Sequence, residues 1–215
     1  MLNKNLVVQA VQDRRFLHEH PELSGEEYET CAFIRKRLEA LNIEILDFQP
    51  PSIVGFVKGT KGNKTIALRA DIDALPITEE GDKPYISKNP GVAHMCGHDG
   101  HTAILLAVSE WISQHAAEIE PNILLIFQSA EEISPSGADQ LIKQGVLEDV
   151  DAIFGIHLWH GMDKGKIGLR PGSMMRRWMT LKLRYRDMVG MDLCRMKPLI
   201  LYMYHLMLYN PYKAL

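Results

Sequence analysis

Cysteine is scarce. Only Cys31, Cys96 and Cys194 occur in 215 residues, too few and too scattered for a disulfide framework, which favours a reducing compartment. Long hydrophobic runs are lacking too. No segment approaches the roughly 20 apolar residues of a membrane span. The opening MLNKNLVVQAVQDRRFLHEH has no apolar stretch of the kind a secretory signal needs. Nor is there a strong charge of one sign: a net charge of −3 gives no reason to expect nucleic acid as a partner. The nucleophile elbow G-x-S-x-G, the phosphate loop G-x-x-x-x-G-K-[ST] and the dinucleotide fingerprint G-x-G-x-x-G are all missing. The expectation left by these absences is a soluble, cytoplasmic globular chain without membrane or nucleic-acid partners. It is long enough for one sizeable core and part of a second domain.

The averages conceal a break after Met175. Residues 1–175 carry 25 acidic and 16 basic side chains, whereas 176–215 carry two acids, Asp187 and Asp192, and eight bases. The final 40 residues also hold six of the 11 methionines and five of the seven tyrosines, and the last glutamate of the chain is Glu148. Such a stretch reads as a basic tail for an acidic partner, as a Met-rich interaction helix, or as sequence that was never selected.

Before the break, apolar periodicity predicts helices over Leu6–Phe16, Glu26–Leu41, Thr102–His115 and Gly137–Gln144. The segment His-Pro-Glu-Leu-Ser-Gly between the first two reads as a turn. Ile53–Lys58 and Lys64–Arg69, separated by Gly59-Thr60-Lys61-Gly62-Asn63, are expected to pair as a hairpin. Asn122–Gln128 and Ala152–Ile156 read as strands buried on both faces. Helices alternating with apolar strands specify an α/β fold.

Polar residues follow three of the apolar strand runs: Asp71-Ile72-Asp73, Gln128-Ser129-Ala130-Glu131-Glu132, and His157. Ligands gather at the carboxyl ends of strands in open α/β sheets, so one rim is expected to collect Asp, Glu and His. Between them, directly ahead of a predicted helix, lies His94-Met95-Cys96-Gly97-His98-Asp99-Gly100-His101. Cys96 and His98 flank a glycine that lets both turn toward one ion, which suits Zn²⁺ or another late divalent metal. Glu131 and Glu132 supply an adjacent carboxylate pair, one to bind metal and its neighbour to take a proton from the attacking water and return it to a leaving amine. Cys31 and Cys194 read as small buried hydrophobes, and His18, His20, His115 and His160 as structural histidines.

RRFLHEHPELSGEE, ALRADIDALPITEE, HMCGHDGHTA, QSAEE and IFGIHLW together resemble the metal-dependent amidohydrolases of the M20 peptidase family, in the subgroup of hippurate, N-acyl-amino-acid and auxin-conjugate hydrolases. The resemblance runs in order through residues 1–175. It implies the N-terminal part of an M20-type, zinc-peptidase-like catalytic domain, a mixed sheet flanked by helices. It further implies a site for two divalent ions (Zn, Mn, Co or Ni) and hydrolysis of a small N-acyl amino acid. Carried over by position, Cys96, His98, Glu132 and His157 match metal ligands, Glu131 the catalytic base, and Asp73 a residue supporting the site from behind the ligands. Glu131–Gly137 departs locally from a glycine run common in the family and is expected to alter a loop only. Homo-oligomers are expected of full-length relatives. The alternative reading is a non-catalytic metal-binding or interaction fragment whose basic tail docks a partner.

The larger departure is the tail, where the family continues into a lid domain with a Gly-Gly-His element and then a last histidine ligand. Codons can be chosen for Met174–Leu201 such that one inserted G after Met175 makes the same bases read MMASVDDFEIKIQGYGGHGSMPNEAIDP, a lid-domain entry. Residues 176–215 are therefore expected to be an out-of-frame tail, and the 215-residue form to be truncated, poorly folded and close to inactive.

Overall fold

The structure, a computed structural model, describes residues 4–169. The predicted tail over 176–215, Cys194 included, lies outside the described residues. A compact unit spans Met1–Lys164 and carries all the described helices and strands.

The described elements are α1 (Lys4–Glu19), α2 (Tyr28–Ala40), β1 (Glu44–Leu46), β2 (Ile53–Val57), β3 (Thr65–Asp71), α3 (His98–Gln114), β4 (Asn122–Gln128), α4 (Gly137–Lys143) and β5 (Ala152–Gly155). They form an α/β fold around one mixed sheet in the order β1-β2-β4-β3-β5. β3, β4 and β5 run parallel, while β2 is antiparallel to both β1 and β4.

β4 organises the core. Its sequence NILLIFQ is buried from Ile123 to Gln128, as predicted, and successive side chains point to opposite faces. Ile123, Leu125 and Phe127 join Ile34, Leu38, Leu105, Leu106 and Ile112 from α2 and α3. Leu124 and Ile126 join Val54, Ala67, Leu141 and Val146 on the side of α4. Each fully buried aliphatic or aromatic side chain contributes about 2 kcal/mol.

Three expectations need correction. Ile53–Lys58 and Lys64–Arg69 do not form a hairpin, because β4 lies between them and pairs with both. A strand apolar on both faces gains most from a central place, and that gain outweighs the short connection. The Ala152–Ile156 segment is not buried on both faces. β5 pairs with β3 alone at the end of the described sheet, with Ile153 49% and Phe154 59% exposed. The third concerns α3, which starts at His98, four residues before the predicted Thr102. The polar run is thus partly the first turn of the helix, where His98 and His101 are buried as donors to Asp73 and Asp71, and Asp99 is buried as the acceptor of Arg14 and His18.

Candidate metal centre

The parallel strands β3, β4 and β5 end on one rim, with the first turn of α3 against it. Asp71 closes β3 and Asp73 follows two residues on. Gly97, at φ +92°, brings the chain round into α3. A left-handed backbone there suits glycine, and it places Cys96 and His98 on either side of the bend.

His98 is the hub. Its Nδ1–H donates to the carbonyl oxygen of Asp73 at 2.9 Å and to Asp73 Oδ1 at 3.1 Å. That pairing assigns the proton to Nδ1 and leaves the lone pair on Nε2. Nε2 is buried without a hydrogen-bond partner, yet lies 3.7 Å from both Asp71 Oδ2 and Glu132 Oε1. These separations are too long for hydrogen bonds. They resemble the roughly 3.4–3.7 Å between two ligands of one tetrahedral ion. Burial lowers the His98 pKa, but the bond to Asp73, the neighbouring Cys96 and the Asp71 charge overcome it and push it up to about 11. The carboxylates that stabilise a proton on this ring would equally stabilise a cation held at Nε2.

The other predicted residues converge on this atom. Ligand atoms of Cys96, His98 and His157 lie within 4.8 Å of one another, as do those of His98, Glu131 and Glu132. His157 donates from Nδ1 to the Leu158 carbonyl at 2.7 Å and turns Nε2 toward Cys96 Sγ at 3.6 Å. Asp73 Oδ2 accepts from Glu132 N at 3.0 Å and from Ser24 Oγ at 2.6 Å. Burial raises the Asp73 pKa, but these bonds and His98 hold it below the ordinary carboxylate value. Glu131 behaves oppositely: burial first, then the charges of Glu132 and Asp71, push its carboxyl up, toward the range useful to a group that takes and returns a proton.

Local backbone geometry sets the carboxylate pair. Ala130 sits at φ +48°, a left-handed conformation that costs a non-glycine residue about 1–2 kcal/mol. Beyond it, Gly137 N donates back to the Ala130 carbonyl at 3.0 Å, closing loop 131–136. Ser136 then starts α4 by accepting from Asp139 N while its own N donates to Asp139. The departure at 131–137 thus stays within a loop whose two ends meet.

Asp71 and His101 belong to the segments that the sequence places at the rim, but it assigns neither a role. His101 donates from Nδ1 to Asp71 Oδ1 at 2.6 Å and accepts at Nε2 from Leu158 N at 2.8 Å. Both ring nitrogens are used, so His101 orients the His157 segment and is not itself free to ligate. Asp71 is held by Arg69 at 2.8 Å. The Asp-x-Asp spacing at a strand end was the available signal. Away from the rim, Cys31 is a buried thiol whose pKa burial raises, in keeping with its core reading. His18 is buried and bonded through both nitrogens.

Comparison with known proteins gives concordant matches. The model of Peptidase family M20/M25/M40 matches residues 67–210, a span that continues past Met175. The chain is 44% identical to an N-acyl-L-amino acid amidohydrolase of Geobacillus stearothermophilus over 75% of this chain and 44% of that protein. It is 43% identical to an N-acetylcysteine deacetylase of Bacillus subtilis over 81% of this chain and 46% of the relative. Among solved structures, the Bacillus subtilis YXEP protein, described as a dinuclear metal binding peptidase, superposes with TM-score 0.68 at 44% identity, over 72% of this chain and 44% of that one. The chain therefore spans less than half the length of these relatives.

Proposed function

This chain belongs to peptidase family M20/M25/M40, and from that premise we propose that its rim is part of a two-metal centre hydrolysing the amide bond of N-acyl amino acids. The observation that carries the reading is His98 Nε2, buried and unpartnered between Asp71 and Glu132. Cys96, His98, Glu132 and His157 would hold divalent ions, which polarise an amide carbonyl and acidify water. Mixed thiolate, imidazole and carboxylate donors accept Zn, Mn, Co or Ni. Glu131, its carboxyl pushed up, takes the proton of the attacking water and delivers it to the leaving amine. Asp73 keeps His98 in the tautomer that leaves Nε2 open. The names of the relatives support an N-acyl amino acid as substrate. A thiol ligand at Cys96 suits a reducing, cytoplasmic setting.

The proposal extends to residues 176–215 as an out-of-frame tail. These 215 residues then carry four ligands and the base, and on their own they hydrolyse weakly or not at all. The charge inversion after Met175 supports this reading.

Metal content of the purified chain, followed by assay with N-acetyl and N-benzoyl amino acids, tests both parts. Bound divalent metal with little turnover is expected. Absence of metal binding at neutral pH defeats the metal-centre reading and favours an interaction fragment. Turnover comparable to that of the amidohydrolase relatives defeats the truncation reading.

A further inference from the structure

The segment 20–25 reads as a turn and Glu26 as the start of a helix, yet residues 22–27 reach both sides of the rim. Leu23 forms a β-bridge with Ala74, and Ala74 N donates to Glu22 O at 2.8 Å. Ser24 Oγ donates to Asp73 Oδ2, the oxygen that also receives Glu132 N. Glu27 reaches the other side: its Oε1 accepts from the backbone N–H of Ala130 at 2.7 Å, across 103 residues of sequence.

Glu27 stands at the N-cap of α2 but does not cap it. Glu22 takes over that task, accepting from Glu29 N at 3.1 Å and Thr30 N at 2.7 Å. Glu27 is left free to cross to Ala130, and it is wholly buried, 0% exposed. Its second oxygen has no hydrogen-bond partner, and burial pushes its carboxyl up. An apolar side chain would fill the same space without desolvating a carboxylate. The acceptor is the part of Glu27 that packing does not explain.

The bond meets the chain where it matters. Ala130 is left-handed and immediately precedes Glu131 and Glu132. Ser129 N is held by Ser52 Oγ at 3.1 Å and Ala130 O by Gly137 N at 3.0 Å, so Glu27 supplies the hold on Ala130 N between them. Non-glycine residues keep such conformations only where their surroundings over-determine them.

We propose that Glu27 is a positioning residue whose buried acceptor holds Ala130 left-handed and thereby aims Glu131 and Glu132 at His98. Its effect on metal binding rests on the metal-centre reading, whereas its hold on Ala130 does not. The test compares Glu27→Gln, which keeps the acceptor, with Glu27→Met, which keeps the bulk, in the full 215-residue chain. Hydrogen exchange at Ala130 and Co²⁺ titration are the two readouts. Glu27→Met should speed Ala130 exchange by about tenfold or more while Leu124 and Ile126 keep their protection. It should also weaken Co²⁺ binding about 10-fold or more, and Glu27→Gln should restore both. Unchanged Ala130 exchange in Glu27→Met overturns the proposal, as does protection lost evenly across β4. If the wild type binds no Co²⁺, the metal-centre reading fails, and Ala130 exchange still decides the role of Glu27. Should Glu27→Met unfold, Glu27→Met/Ala130→Gly takes its place, since glycine adopts φ +48° freely. Recovered folding supports the proposal, and continued unfolding overturns it.

Discussion

The backbone N–H of Leu158 donates to Nε2 of His101 at 2.8 Å, which ties the segment after β5 to the first turn of α3. The same ring donates from Nδ1 to Asp71, so its orientation is set from both sides. The neighbouring backbone is thereby fixed, and with it the place of His157. Gly100 provides the room: a Cβ there would meet Leu158 Cδ1 at 2.4 Å.

His101→Phe should therefore weaken metal binding about 10- to 100-fold without removing any ligand. The ring keeps its volume but can no longer accept from Leu158 N. Calorimetric titration with Zn²⁺ checks this, and an unchanged affinity would mean that His157 is placed by something other than His101.

The two adjacent glutamates should separate cleanly. Glu132 Oε1 faces His98 Nε2 at 3.7 Å, so Glu132→Gln should reduce metal affinity by an order of magnitude or more. Glu131→Gln should leave affinity within about threefold while abolishing whatever hydrolysis the chain supports. Equal losses of affinity in both variants would contradict a ligand and base assignment.

Stability should have a pH window set by His18. It donates from Nδ1 to Asp99 at 2.8 Å and from Nε2 to Glu79 at 2.9 Å, an imidazolium between two carboxylates. The bond to Asp99 leads in raising the His18 pKa, against burial and with help from Glu79. Burial opposes ionisation of Glu79, but His18, Lys83 and Ser87 N bring its pKa down to about 2. The raised His18 contributes fully below its unfolded value near 6.5, and that contribution fades as pH rises through its folded pKa. The depressed Glu79 contributes above about 4.5, and its share fades as pH falls toward 2. Urea midpoints across pH should thus peak between those limits, and His18→Gln should flatten the alkaline side. A flat profile in the wild type would exclude the charged network.

Gly137→Ala should be among the most damaging small substitutions. A Cβ at 137 would lie 2.0 Å from the Ser129 carbonyl oxygen, which is backbone and cannot step aside. A loss of about 3 kcal/mol is expected, against about 1 kcal/mol for Gly100→Ala, where only the end of Leu158 must move. Urea unfolding of the two variants decides, and a milder effect at 137 would show that loop 131–136 can re-seat.

Resequencing the gene from the codon for Gly172 onward should reveal an extra G after Met175, or a shifted frame that stays open into a histidine-bearing segment. A shifted frame that closes at once would refute the out-of-frame reading and return the basic, Met-rich tail to consideration as a binding element.

Much was legible in order along the chain. The apolar run Asn122–Gln128 announced the central strand with its bounds, and the four helices were found, with α3 started late. His94–His101 and Glu131-Glu132 marked the rim by composition. The hairpin failed because turn length is a local signal, whereas β2 and β3 each gain more by pairing with β4, about 70 and 57 residues away. The start of α3 was misplaced because a polar first turn looks like loop until the buried Asp71 and Asp73 that receive it are in view.

The sequence by itself determined which side chains could bind a cation, since donor type is a property of Cys96, His98, Glu132 and His157 alone. It also determined an α/β fold, through the alternation of two-sided apolar strands with helical periodicity. Only the tertiary structure decided which atoms face one another: that His98 presents Nε2 and not Nδ1, that His101 orients and does not ligate, and that Glu27 holds Ala130. Those outcomes depend on hydrogen bonds spanning 25, 57 and 103 residues. Such bonds form only once the core has brought distant strands and loops together, and no local pattern of residues encodes them.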